Sequence, residues 1–174
     1  MLDFICGAVR LQKGRIEMTF TIEHMPTARM IFARKTGPYG PGNQETMEYL
    51  KAWARRRNLL RESATLLGIA QDNPQHTPPE QCRYDACLII REAGASEIGD
   101  LQDTSLRLGE FPGGTYAVFK TAHTPQGVNE VWSSAFPALL EAGIRLDERP
   151  TVERYTGSLL PEGLCELCVP IRQS

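Results

Sequence analysis

Apolar and polar positions alternate over MTFTIEHM from Met18, with Phe20 and Ile22 in step, and again over MIFAR after the break at Pro26. A period of two is the mark of strands. From Pro41 and Gly42 the period lengthens: Met47, Leu50 and Ala54 recur at helical spacing in NQETMEYLKAWARRRNLL, and Tyr49 and Trp53 form a second pair four residues apart. LLGIAQ at 66–71 and RYDACLII at 83–90 predict two more strands around a polar, proline-rich loop, DNPQHTPPEQ at 72–81. After a loop around Gly94 and Gly99 the order recurs, with SLRLGEF and TYAVFKT as strands, a helix from about Pro125 to Ala142, a strand TVERYT, a turn, and CELCVPI.

The recurrence suggests a duplication. PTARMIFARKT at 26–36 sits beside PGGTYAVFKTA at 112–122, and YDACLII beside CELCVPI. Two strand-helix-strand-strand modules are expected, at about 18–92 and 100–172, within one domain over 18–174. Residues 1–17 read differently and are expected to be a leader or a peripheral arm. In the second helix Val128, Val131, Trp132, Ala135, Phe136, Leu139 and Leu140 make a wide apolar stripe that must bury on a sheet. Pro137 falls inside that stripe, so a kink or split near Ser134 is expected. The last two strands of each half are joined by connections too short for a parallel crossover. The expected fold class is therefore α+β, two pseudo-symmetric modules with mainly antiparallel sheets and helices on one face.

TVERYT and LCELCVPI flank GSLLPEG, a connection with glycine at both ends. In a regular hairpin, residues whose numbers sum to about 319 lie opposite, so Glu153 is expected to face Glu166 and Tyr155 to face Leu164. Cys165, Leu167, Val169 and Ile171 then share the core face with Val152, leaving Glu153, Tyr155, Glu166 and Cys168 on the other. Two carboxylates across a ladder, about 5 Å apart at Cβ, repel unless water, a bound cation or a raised pKa compensates. Such a pair beside aromatic rings suits an organic cation or a polarised leaving atom. The C-x-x-C spacing of CELC is read as accidental, because residues i and i+3 of a strand point to opposite faces and cannot share a metal or close a small disulfide.

Composition narrows the function classes. The chain has 174 residues, 41% hydrophobic and 23% charged, enough for a real core. A net charge of -2 and a pI of about 6.0 leave no general attraction to phosphate backbones, so direct nucleic-acid binding is not expected. The basic run Lys51, Arg55, Arg56, Arg57 and Arg61 reads as a solvated helix face. No apolar run reaches the length of a membrane span and MLDFICGAV lacks the pattern of a secretory signal, so a cytoplasmic protein is expected, with its five cysteines as thiols. His24, His76 and His123 are scattered, and no metal or cofactor is expected. There is no Walker loop, dinucleotide fingerprint or G-x-S-x-G elbow, and GPYGPG lacks the lysine and hydroxyl that phosphate binding uses.

Several segments together resemble one family. DNPQHTPPEQCRYDACLII, with Asp72, Asn73, Pro74, Thr77, Pro78, Glu80, Arg83 and Asp85, is similar to the middle signature of GyrI-like small-molecule-binding domains. TGPYG at 36–40, GGTYAV at 113–118, Trp132, VERY and CELCV extend the resemblance over nearly all the chain after residue 18. It implies two pseudo-symmetric modules of SHS2 type around a central ligand groove. The family includes effector-binding domains of AraC-type and MerR-type regulators, stand-alone modulators of DNA gyrase, and hydrolases of cyclopropane-bearing DNA-alkylating compounds. Seventeen residues before Met18 leave no room for a helix-turn-helix unit, so a stand-alone member is expected, a monomer or weak dimer. By that resemblance Glu153 and Glu166 match the pocket carboxylates, and Tyr39, Trp132 and Tyr155 match ring positions of the groove. Tyr116 is a further candidate, and Cys168 stands where several members carry an aromatic residue.

The first functional expectation is a small-molecule binder, with rings and Glu153 holding an apolar, aromatic or cationic ligand for sequestration or sensing. The second is a hydrolase, in which one of Glu153 and Glu166 activates water and the other, or Tyr155, stabilises the leaving oxygen. The third is modulation of DNA gyrase, which rests on family analogy.

Overall fold

The computed structural model describes residues 6–9, 18–90, 98, 101 and 103–172. Most of residues 1–17 and the loop around Gly94 and Gly99 lie outside the described residues. The elements are β1 (Cys6–Val9), β2 (Met18–Met25), β3 (Ala28–Thr36), α1 (Pro41–Arg56), β4 (Thr65–Ala70), β5 (Arg83–Ile90), β6 (Leu106–Phe111), β7 (Gly114–Ala122), α2 (Pro125–Glu141), β8 (Val152–Thr156) and β9 (Leu164–Pro170). Short 3-10 turns occupy Pro79–Gln81 and Leu160–Glu162.

The described strands form one sheet in the order β1-β2-β7-β9-β8-β4-β5-β3-β6, with every neighbouring pair antiparallel. The fold is α+β, as expected. The strands of the run β3, α1, β4 and β5 lie side by side in the order β4-β5-β3, and those of the run β7, α2, β8 and β9 in the order β8-β9-β7. The two runs meet where β4 pairs with β8. Their outer strands are exchanged: β2 pairs with β7, and β6 pairs with β3.

Register assigns the faces. Ile31, Leu88, Leu66 and Tyr155 are successive partners across β3, β5, β4 and β8, so they share one face. Glu153, two residues from Tyr155, pairs with Leu167, which pairs with Phe119, so these lie on that face as well. Both helices cover it. Leu50, Trp53 and Ala54 of α1 pack on Ile31, Ala33 and Leu88, while Val131, Ala135 and Leu139 of α2 pack on Ala117, Phe119 and Leu167. The apolar spacings in the sequence therefore do the job expected of them, with two exceptions: Tyr49 turns outward and donates its hydroxyl to Asp103, and Leu140, at the end of the expected α2 stripe, is exposed.

α2 starts where Thr124 accepts a hydrogen bond from the Gly127 amide at 3.0 Å, with Pro125 in the first turn. It runs unbroken through Pro137 to Glu141, so the expected split near Ser134 is absent. Pro137 lies on the exposed side of α2, where its ring need not displace core side chains.

Among the described residues, no helix covers the other face of the sheet. Its buried floor comprises Met30, Phe32, Leu67, Ile69, Cys87, Phe111, Tyr116, Val118, Val152 and Cys168. Closure at one end comes from the turns β2–β3 and β6–β7, which press together: a Cβ on Gly113, at φ +66°, would lie 2.4 Å from the Met25 carbonyl oxygen. Only glycine fits that backbone and that approach.

Candidate functional site

The helix-free face carries a cleft of about 910 Å³, bounded by Met25, Leu67, Ile89 and Phe111 on its apolar side and by Glu23 and Arg154 on its polar side. That is the size and mixture of a small-molecule site. Thr65 and Thr156 extend the polar wall from β4 and β8, and Arg29 stands at the exposed end.

The hairpin register corrects the expected carboxylate pair. Val152 pairs with Cys168, Glu153 with Leu167 and Arg154 with Glu166. This is one residue away from the expected alignment, and such a slip moves a strand's side chains to the opposite faces. Glu153 and Tyr155 consequently lie on the helix side, and Val152 and Arg154 on the cleft side. Glu166 and Cys168 point to the cleft side as expected, and Cys165 to the other. The observed pairs close symmetrically on Gly157 and Gly163, one residue away from the expected alignment, through a 3-10 turn over Leu160–Glu162 that ends at Gly163 in the left-handed region, φ +70°.

Glu166 is nearly buried, with 8% exposure. Its Oε2 accepts a hydrogen bond from Arg154 Nε at 2.6 Å, and Arg154 Nη1 donates to Glu23 Oε2 at 3.0 Å. Burial opposes the charge on Arg154, but the surrounding negative groups more than offset it, so its pKa stands above the ordinary value. On the far side of Glu166 its ladder partner on β7 is Lys120, an exposed residue. Arg154 lines the cleft and stands in front of Glu166, which is not among the cleft's lining residues.

A second acid on this face is held differently. Asp85 of β5 is 1% exposed, and Arg34 donates to both of its oxygens at 2.7 Å, with Gln71 adding a third bond at 2.8 Å. Both carboxylate oxygens are taken, which is the arrangement of a structural pair. Glu166, by contrast, has hydrogen bonds within the described residues on Oε2 alone.

The remaining expected residues are dispersed. Glu153 accepts from Trp132 Nε1 at 2.7 Å and from the Tyr155 hydroxyl, forming a polar knot between the sheet and α2. Burial, with the charge of Glu153 beside it, raises the pKa of Tyr155 and keeps it a donor. Tyr39 donates to the Asp72 carbonyl at 2.9 Å and fastens the loop after β4. Tyr116 is 1% exposed, stacked on Phe111 at 6.0 Å and capped by the Arg149 guanidinium at 5.0 Å. It lies under the cleft with Cys168 rather than on its wall. The rings that line the cleft are Phe111 and His24, and the lining charges are Glu23, Arg29 and Arg154. Sequence reading missed Glu23, Arg154 and Phe111; the signal for Arg154 was the VERY segment itself, with the register shifted by one.

Comparison with known proteins places this geometry. The chain is 38% identical over 156 residues to YosT, an SPbeta prophage-derived transcriptional regulator candidate of Bacillus subtilis (strain 168), covering 89% of this chain and 100% of that protein. It is 25% identical over 160 residues to a DNA gyrase inhibitor of Cronobacter turicensis, covering 90% and 99% of the two chains. The solved structure of SAV2435 bound to tetraphenylphosphonium has the same fold, with a TM-score of 0.57 at 12% identity over 89% of this chain and 94% of that one. Residues 18–172 match the model of the GyrI-like small-molecule-binding domain, and the chain belongs to that family.

Proposed function

We propose that this chain binds a small, largely apolar aromatic molecule in the cleft on the helix-free face, with Arg154 and Glu166 forming its polar end, in a sequestering or sensing role. The observation that carries the reading is a nearly buried carboxylate, Glu166, with one oxygen unbonded among the described residues, behind the wall of an apolar cleft of ligand size. Membership of a small-molecule-binding family supports it. So does the fold shared with a structure that holds tetraphenylphosphonium, a bulky aryl compound. The two-carboxylate hydrolysis scheme is not favoured, because Glu153 and Glu166 project from opposite faces and cannot flank one bond. A panel of aryl compounds screened by thermal shift and calorimetry tests the proposal. Binding is expected in the wild type and lost in Ile89→Trp, which fills the cleft while leaving the sheet folded by circular dichroism. Equal binding by Ile89→Trp would move the site elsewhere.

A further inference from the structure

The cleft does not end at Thr65 and Thr156. These two half-buried residues are ladder partners on β4 and β8, and both also bound a second hollow of about 530 Å³, into which the cleft runs on. Its walls are the turn that leads into β4 and the turn that follows β8. They are held against each other: the Gly157 amide donates to the Ala64 carbonyl at 3.4 Å, and a Cβ on Gly157 would lie 2.2 Å from the Glu62 carbonyl oxygen. So close a backbone approach admits only glycine and fixes where the side chains of the two walls stand.

Hydroxyls come from both walls, Ser63 and Thr65 from one, Thr156 and Ser158 from the other. Thr156 Oγ1 and Ser158 Oγ lie 3.1 Å apart and share one hydrogen bond, while the hydroxyls of Ser63 and Thr65 make none among the described residues. Each hydroxyl can donate once and accept twice, so most of this capacity is open to a ligand. The charges of the hollow, Arg61 and Glu62, cancel, and Arg61 Nε is tied back to the Asn58 carbonyl at 3.2 Å. Groups that both donate and accept, at no net charge, complement a neutral polyol rather than an ion.

Resting on the binding reading above, we propose that the ligand has two parts: an aryl body in the apolar cleft, and a neutral polyhydroxylated group, such as a glycosyl ring, that crosses the Thr65 and Thr156 pair into the second hollow. The aryl part supplies the burial. The sugar part supplies several hydrogen bonds of modest individual worth, which together select a glycoside over its aglycone.

Two neutral probes with one aryl core test this: skimmin, the glucoside of umbelliferone, and herniarin, its methyl ether. Calorimetry of the full chain should give about tenfold tighter binding of the glucoside, the sum of two or three neutral hydrogen bonds. Ser63→Ala combined with Ser158→Ala, two exposed positions outside the cleft, should bring the glucoside to within about twofold of the methyl ether and leave the methyl ether unchanged. Ile89→Trp should abolish binding of both. A glucoside that binds no tighter than the methyl ether, a preference that survives the double variant, or glucoside binding retained in Ile89→Trp overturns the inference. In any of these cases the cleft reading still stands if an aryl compound binds the wild type and is lost in Ile89→Trp. If no aryl compound binds the wild type, that reading falls as well.

Discussion

Glu153 and Glu166 stand on adjacent strands of one hairpin and project from opposite faces of the sheet, Glu153 into a knot with Trp132 and Tyr155, Glu166 towards Arg154. The two acids are therefore separable by mutation. Glu153→Gln should cost about 1–2 kcal/mol of stability, because charge-assisted bonds from an indole and a phenol are weakened, and should leave affinity for cleft ligands unchanged. Glu166→Gln should cost about 1.5–3 kcal/mol, because it removes one of the two carboxylates that hold the shielded Arg154 charge, and should change ligand affinity as well. Urea unfolding paired with calorimetry checks both; ligand affinity that follows Glu153 instead would reassign the site to the helix side.

Pro137 interrupts the hydrogen-bond ladder of α2 without interrupting the helix. An interior proline costs about 3 kcal/mol in a regular helix. Because its ring is exposed, Pro137→Ala should raise stability by about 1–3 kcal/mol, read as a higher urea midpoint at constant slope. A lower midpoint would mean that the ring packs in a way its exposure does not reveal.

Gly113 combines a left-handed backbone with a carbonyl pressed against its α-carbon. Gly113→Ala should destabilise by about 1–3 kcal/mol from backbone strain, with a further steric contribution, and should loosen the Met25 end of the cleft. Gly143, also left-handed but open to solvent, is the control: its alanine variant should carry the backbone cost without the collision.

The thiols of this sheet are hard to ionise. Burial pushes Cys165 up to about 11 and Cys168 up to about 12, and raises Cys87 well above its ordinary value. A raised folded-state pKa means that the folded chain keeps protons the unfolded chain loses near about pH 8.5. The stabilisation is fully present below that pH and declines as pH rises towards the folded values. Stability should thus fall steadily above about pH 8.5, with a shallower fall in Cys168→Ala. Identical urea midpoints at pH 7.5 and 9.5 would contradict this.

Much of the fold was legible because its elements announce themselves locally. RYDACLII at 83–90 is β5, and Leu50, Ala54, Val131, Ala135 and Leu139 lie on the buried helix faces that their spacing predicts. The site was less legible, for a specific reason. β9 is buried on both faces from Cys165 to Pro170, so alternation along it carries no information about which face is which. The turn then had to supply the register, and the symmetric closure on Gly157 and Gly163 is one residue away from the alignment that places Glu153 opposite Glu166. That single step moved Arg154 into the cleft and Glu153 out of it. Glu23 was illegible for another reason, since it meets Arg154 from 131 residues away in sequence.

The exchange of outer strands has a consequence for the order of assembly. β2 finds its interior neighbour only in β7, and β3 acquires its second neighbour only in β6. During synthesis the first helix can dock on β3, β4 and β5 early, but β2 has only the four-residue β1 to pair with until residues 114–122 have emerged. Non-local pairing of this kind slows folding and prolongs the exposure of strand edges. The cleft, whose Glu23 rides on β2, is thus among the last features to be completed.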